Sequence, residues 1–203
     1  MSEYLWVSNV MSNASLIIMA TTDVVEENLE SAKSGLKALK GGQPVDPATL
    51  PRSVYLPKAK LGSLPPLFDA NGFYIVDETV ANILSRHDLG EGGLYPVDLW
   101  QSDRATPVKG LWFCWTFGNT KSAFTKAHST NMLDRGPPGG EWAMMPWSPA
   151  DFDVAVTRDA LGGPEVWLDH RLFKTVFMSR ELGDELVAAN LGQFFRLYRT
   201  KVI

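Results

Sequence analysis

The chain has 203 residues, of which 45% are hydrophobic and 21% charged, and its formal net charge is −4. This length and balance are ordinary for a globular protein with one good core. Acidic residues outnumber basic ones 23 to 19, so the chain offers no basic surface for a phosphate backbone, and nucleic acid is excluded as an expected partner.

The cysteine content indicates the compartment. Cys114 is the single cysteine, so neither an internal disulfide nor a Cys-x-x-Cys metal site can form. A reducing compartment fits this content better than secretion does. The most apolar early run, Leu16 to Ala20, is too short for a signal peptide or a membrane span. We therefore expect a cytoplasmic protein that does not associate with membranes.

The N-terminal part of the chain predicts short strands followed by a helix. Residues 1–22 are typical of one or two short strands. Asp23 and Glu26 then form a capping-box pattern, and an apolar stripe of helical period follows them. This pattern predicts a helix over residues 24–40.

A proline-rich segment separates this helix from the rest of the chain. Six of the 13 prolines lie within residues 43–66, which predicts an extended surface connector. The sequence is therefore divided into a segment of residues 1–66 and an α+β domain of residues 67–203, within one compact domain overall.

The second part of the chain alternates strand and helix patterns. Helices are expected over residues 78–88 and 180–189. Strands are expected near residues 73–76, 94–99, 108–117, 154–157, 176–178 and 194–199.

The order of strand, polar cap, helix, Leu-Gly and strand occurs twice, at an offset of 102 residues. Leu84 corresponds to Leu186, and Leu89-Gly90 corresponds to Leu191-Gly192. A helix between two strands suits a crossover that packs on one sheet face. With few matching positions, a recurrent physical unit is favoured over a true duplication. The predicted fold class is α+β: a single domain with a mixed sheet, repeated strand–helix–strand units and an N-terminal helix.

Apolar positions of these elements form the predicted core. Cys114 is surrounded by apolar neighbours, which favour a neutral, buried thiol over a reactive thiolate. The residues expected to be buried are Leu84, Leu186, Phe113, Cys114, Val176 and Phe195.

Common catalytic and metal-binding motifs are absent from the sequence. There is no P-loop, no Gly-x-Ser-x-Gly and no Gly-x-Gly-x-x-Gly. His87, His128 and His170 are far apart, and none has the spacing of a metal-binding pair, so surface or helix-end roles are expected for them. The sequence predicts no catalytic, cofactor-binding or metal-binding residues.

Asp151 and Asp153 allow two interpretations. In an extended segment both carboxylates would face the same side, as general acid–base chemistry or metal binding requires. An aspartate turn that leads into the following strand explains the same spacing. The turn is the favoured interpretation.

Two groups of residues are candidates for partner binding. Trp142, Met145 and Trp147 follow a Gly/Pro loop, 136–140, and large aromatic and methionine side chains beside a loop suit a protein-contact surface. Packing, or stacking on a sugar, would use the same residues. The acidic residues that could steer a basic partner are Glu26, Glu27 and Glu30.

Several segments resemble one bacterial family. Trp167 to Phe173 (WLDHRLF), the strand Val176 to Met178 with Ser179 after it, a leucine-rich helix and the aromatic run Phe194 to Tyr198 are similar to the C-terminal signature of the DUF1629, or Imm11-type, immunity proteins of polymorphic toxin systems. Tyr74 to Asp98 resembles the family's earlier strand–helix–strand block. Ser122 and Asp134 match the family's middle section only loosely.

The resemblance implies a small cytoplasmic immunity protein that binds a cognate toxin encoded nearby and neutralises it by occlusion. It implies no catalytic residues. Two alternatives remain open. One is an enzyme of unrecognised class that uses Asp151 and Asp153 with His128 or His170. The other is a scaffold or a module for a small ligand such as a carbohydrate, bound by exposed tryptophans.

Overall fold

The computed structural model describes residues 3–58, 63–136 and 141–203. The chain divides into two compact units, each assembled from separate stretches of sequence. The barrel unit comprises Ala14–Arg86 and Glu91–Gly118. The sheet unit comprises the residues up to Asn13, His87–Gly90 and Asn119–Ile203. The division at residue 66 stays a prediction.

Within the described residues there are fourteen strands and five α-helices. The strands are β1 (Trp6–Ser8), β2 (Ile17–Thr22), β3 (Ser53–Tyr55), β4 (Leu67–Ala70), β5 (Phe73–Asp77), β6 (Gly93–Trp100), β7 (Trp112–Thr116), β8 (Met132–Asp134), β9 (Trp142–Met144), β10 (Ala155–Val156), β11 (Val166–Trp167), β12 (Val176–Met178), β13 (Leu197–Arg199) and β14 (Lys201–Val202). The helices are α1 (Asp23–Glu27), α2 (Leu29–Lys40), α3 (Glu78–Leu84), α4 (Arg180–Ala188) and α5 (Gly192–Phe195).

The predicted fold class is wrong. In place of one mixed sheet in an α+β domain, the barrel unit contains a closed barrel of strand order β2-β3-β6-β7-β5-β4, and the described residues are richer in strand than expected. One missed strand, β3, lies inside the proline-rich segment, where Pro51 and Pro57 flank it without interrupting it. Closure also depends on the parallel pairing of β3 with β6 and of β2 with β4, which no local pattern indicates.

Strand β7 pairs antiparallel with β5 on one side and with β6 on the other. Cys114 and Trp115 are fully buried there, and the burial of Cys114 is confirmed. The predicted burial of Phe113 is wrong, because this residue is only half-buried and lines an open groove with β6. Phe113 and Cys114 point to opposite faces of β7, and the face of Phe113 borders the groove, although Trp115 on that same face is fully buried.

The sheet unit is built on a four-stranded sheet of order β11-β12-β1-β13. Its core contains Val7 from β1, and the ring of Trp167 stacks on that of Phe177 with the centroids 4.1 Å apart. Of the other residues expected to be buried, this unit fully buries Val176, Leu186 and Phe195, as predicted.

Both predicted strand–helix–strand units are present, over β5-α3-β6 and β12-α4-β13. In each unit the two strands flank a third strand that is antiparallel to both, which is β7 in the first and β1 in the second. The two strands of a unit are therefore parallel to each other and one strand apart, which is why a helix joins them. The last strand is shorter than predicted, because α5 occupies residues 192–195.

Candidate functional site

The predicted contact residues Trp142, Met145 and Trp147 lie in the sheet unit but differ in exposure. Trp147 is 85% exposed. Trp142 is half-buried in β9, packs against the unit's core, and has the Lys126 ammonium 4.5 Å from its ring centroid. Met145 is half-buried, and its backbone N–H donates to the carbonyl of Asn131. Of these three residues, Trp147 is therefore the one whose side chain is mostly exposed to solvent.

Strands β8 and β9 form the hairpin that positions these residues. They pair antiparallel, with Met132 opposite Met144 and Asp134 opposite Trp142. The Trp142 N–H donates to the Arg171 carbonyl at 2.9 Å, and the Trp142 carbonyl accepts from the Phe173 N–H at 2.7 Å. These bonds fasten β9 to the core. Residues 137–140 of the predicted Gly/Pro loop lie outside the described residues.

A cavity of about 280 Å³ adjoins the hairpin within the sheet unit. Leu133 and Ala143 of the hairpin and Pro146, which precedes Trp147, form part of its wall. Its lining also includes two arginines, Arg135 and Arg196. The residue that precedes the exposed Trp147 thus lines a recess that also contains arginine and apolar residues.

The acidic candidates lie in the barrel unit, and two of them have cationic partners. Glu26 forms a bidentate salt bridge with Arg104, in which the Nη1–Oε2 and Nη2–Oε1 distances are 2.8 and 2.6 Å. Glu30 pairs with Lys33 at 2.7 Å. Glu27 is exposed. The negative field that Glu26 and Glu30 would supply for steering a partner is therefore partly cancelled.

Asp151 and Asp153 hold a turn together. Asp151 accepts from the backbone N–H and from Nε of Arg199, both at 2.8 Å. Asp153 accepts from the Ala150 N–H at 2.8 Å and from Asn131 Nδ2 at 3.0 Å. The residue between them, Phe152, has a left-handed φ of 67°, which shows a turn where the catalytic interpretation needs an extended strand.

The three histidines lie in different surroundings. His128 is exposed at the end of a short 3-10 helix, and His170 is 70% exposed beside Asp169. His87 is largely buried: its Nδ1 lies 2.9 Å from Glu165 Oε2, and its Nε2 lies 2.8 Å from Glu185 Oε2. The sequence did not indicate this cluster, because its glutamates follow His87 by 78 and 98 residues.

Electrostatics favour a protonated His87. Burial of the ring acts to lower the pKa of His87, but the hydrogen bonds to Glu185 and Glu165 outweigh burial and raise the pKa above its usual 6.5. For Glu165, burial acts to raise the pKa, whereas hydrogen bonds from Ser179 and His87 lower it below 4.5. The Ser179 hydroxyl donates to Glu165 and also accepts the Leu182 N–H that begins α4. This serine therefore caps a helix and is not arranged as a nucleophile.

Asp169, in the segment that carries the family resemblance, is buried and has a structural role. Its Oδ2 accepts from the backbone N–H groups of Ala123 and Phe124 at 2.8 and 2.7 Å, and its Oδ1 accepts from Arg171 Nε at 3.0 Å. Burial acts to raise the pKa of Asp169, but these hydrogen bonds lower it overall. The WLDHRLF segment thus joins two backbone stretches of the sheet unit.

Over residues 3–58, 63–136 and 141–203, no group of three or more His, Cys, Asp or Glu side chains is placed to hold a metal ion. None of the helices in the same ranges has both the length and the apolar character that crossing a membrane requires.

No family model matches the sequence, and neither does any curated protein. The resemblance to the DUF1629, or Imm11-type, immunity proteins stays a prediction.

Proposed function

We propose that this protein is an immunity protein that binds a cognate bacterial toxin in the cytoplasm and neutralises it by occlusion. The observation that supports binding most directly is the 85% exposure of Trp147. Tryptophan is enriched among the residues that dominate protein–protein affinity, because one rigid side chain buries a large area on contact. The toxin as partner is supported by the resemblance alone.

The surroundings of Trp147 also suit a protein interface. Leu133 is 44% exposed, and Leu133 and Pro146 line the adjoining cavity. We call Leu133, Pro146 and Trp147 the Trp147 surface. Apolar side chains rimmed by polar or charged groups are typical of contact sites. Here the rim includes Arg135 and Arg196, and arginine is a further residue type enriched at interfaces.

Occlusion needs no bond-making groups, and the two aspartates considered for catalysis hold a turn together. Asp151 holds Arg199, and Asp153 caps the turn around Ala150. The role proposed for the acidic set is limited to steering, because Glu26 and Glu30 already have cationic partners. Exposed rim charges change association rates more than affinity.

Co-purification tests the proposal. The tagged protein is co-expressed with the product of the adjacent open reading frame, and both are passed over an affinity column. We expect a stoichiometric complex that survives gel filtration, and growth rescue of cells that express the neighbouring gene. Growth rescue without any complex would contradict neutralisation by occlusion. Absence of both the complex and the growth rescue would exclude the product of the adjacent open reading frame as the partner.

A further inference from the structure

We propose that the cavity beside the Trp147 surface is a binding site for a carboxylate carried on an apolar or aromatic body. The proposal is independent of the toxin and goes beyond it, because it concerns a concave site that a small probe can enter. The residues that line the cavity are Asn9, Ser12, Leu133, Arg135, Ala143, Met144, Pro146, Phe173 and Arg196.

The charged residues of the cavity favour an anionic ligand. Both charged residues in the lining, Arg135 and Arg196, are cations. Within the part of the chain that the structure describes, neither guanidinium forms an ion pair with a carboxylate. Other arginines do so: those paired with an aspartate or glutamate are Arg104, Arg158, Arg171, Arg180 and Arg199. Two unpaired guanidinium groups on one cavity create a positive site that an anion would neutralise.

The backbone fixes the position of Arg196. It follows α5 with a left-handed conformation, φ 51° and ψ 63°, at a place where helices usually have glycine. Its carbonyl accepts from the backbone N–H of buried Asn9 at 3.1 Å. Non-glycine residues held in this region are destabilising and cluster at functional sites. Neighbouring structure thus maintains the backbone conformation in which Arg196 is part of the cavity wall.

An aromatic ring in the cavity wall orients one of the two arginines. The guanidinium carbon of Arg135 lies 3.4 Å from the centroid of the Phe173 ring, and the Lys174 ammonium lies 5.3 Å from the same centroid. Stacking on Phe173 orients the Arg135 guanidinium without using its N–H donors, which lie in the plane of the guanidinium. Those donors remain for an acceptor.

Size and polarity restrict the ligand. A cavity of about 280 Å³ lies just below the range of about 300–1,000 Å³ that holds drug-sized molecules. An apolar cavity of roughly 150 Å³ is enough for benzene. Leu133, Met144 and Phe173 offer apolar surface that a bare inorganic anion would leave uncovered. A ring or short hydrocarbon chain that ends in a carboxylate matches both the apolar surface and the arginines of the cavity. A planar carboxylate can also accept two parallel hydrogen bonds from one guanidinium.

The test uses the full ¹⁵N-labelled protein and defined probes: benzoate, 3-phenylpropionate, the neutral isostere benzamide and inorganic phosphate. Backbone amide shifts of Ala143 and Phe173 are followed during each titration. We expect saturable shifts with both carboxylates, and binding at least tenfold weaker for benzamide. Arg196→Gln and Arg135→Gln should each weaken carboxylate binding at least tenfold. Arg158→Gln, which removes an exposed arginine outside the cavity, should leave it unchanged.

Further measurements distinguish the source of the carboxylate and control for variants that do not fold. An N-acetylated, C-amidated Glu-Phe peptide that binds as tightly as 3-phenylpropionate indicates an acidic side chain of a partner, whereas binding of free acids alone indicates a small-molecule ligand. Trp147→Ala should not alter benzoate binding, so failure here is separable from failure of the proposed function. Unfolding midpoints show whether each variant folds, and Arg135→Gln replaces Arg196→Gln if the latter does not. Three results would each overturn the proposal: absence of saturable binding, carboxylate binding by both arginine variants as tight as that of the parent, or binding of phosphate alone.

Discussion

The Nδ1 atom of His87 lies 2.9 Å from Oε2 of Glu165, although the two residues are 78 positions apart in the chain. The Nε2 atom of the same ring faces Glu185 at 2.8 Å. An imidazole donates from both nitrogens only when it is protonated. These two contacts therefore tie residues 87–90 to the rest of the sheet unit, and their strength depends on pH through the charge of the His87 ring.

The first prediction is that the stability of the sheet unit falls as pH rises through the folded-state pKa of His87. A raised folded pKa means that the contribution is fully present below the unfolded value of 6.5 and is lost above the folded value. Glu165 has the opposite sign: its pKa is lowered, so its contribution is present above 4.5 and is lost as pH falls.

Urea unfolding midpoints between pH 5 and pH 9 check this, with His87→Gln as the comparison. The difference between the parent and the variant should be largest near the acidic end and shrink at alkaline pH. A difference that stays constant across the range would show that protonated His87 does not support the fold.

Leu186→Ala should destabilise the protein by about 2–5 kcal/mol, because the side chain is fully buried and truncation leaves a cavity. The next residue supplies the control: Val187 is 45% exposed, and Val187→Ala should change the free energy of unfolding by less than about 0.5 kcal/mol. Denaturant titration measures both. A loss below 1 kcal/mol for Leu186→Ala would contradict its place in a close-packed core.

Local signals explain which parts of the fold were predictable. Helix α4 was expected at its observed start, because Ser179 caps it, with its hydroxyl accepting from the Leu182 N–H at 3.1 Å, and an apolar stripe follows. Strand β3 was missed because nearby prolines suggested a connector, whereas its partner β6 lies far along the chain. A strand of three residues is too short to show the alternation of apolar and polar residues that predicts a strand.

The candidate sites show the same limit. The exposure of Trp147 was predictable from the adjoining Gly/Pro loop, but the half-burial of Trp142 depends on bonds to residues 171 and 173. Likewise, no sequence pattern brings Arg135 and Arg196 to one cavity, since Arg196 reaches it through a left-handed turn after α5.

Gly183→Ala should lower the unfolding midpoint, although alanine favours helix by about 1 kcal/mol over glycine. A Cβ at this position in α4 would collide with the indole of Trp6, whose Nε1 donates to Asp184 at 3.0 Å. The control is Gly192→Ala, where the nearest atom would be Val187 Cγ2 at 3.4 Å, an ordinary contact. Thermal melts compare the two variants; an unchanged midpoint for Gly183→Ala would show that Trp6 does not pack closely on this helix.

Protection against the toxin should survive the loss of each candidate catalytic group. The single variants are Asp151→Asn, Asp153→Asn, His128→Ala and His170→Ala. Since occlusion makes and breaks no bonds, each folded variant should rescue growth of toxin-expressing cells nearly as well as the parent. Loss of rescue by any one of them, with the unfolding midpoint unchanged, would revive the enzyme alternative.

The most direct test of the account is the affinity of Trp147→Ala for the product of the neighbouring toxin gene, measured by calorimetry. Trp147 is 85% exposed, so truncation should spare the fold while removing the main anchor. We predict binding at least tenfold weaker, about 1.4 kcal/mol, with reduced growth rescue. Leu161→Ala, which truncates another exposed apolar residue of the sheet unit, should bind normally. Unchanged affinity and full protection by a folded Trp147→Ala variant would contradict the central claim.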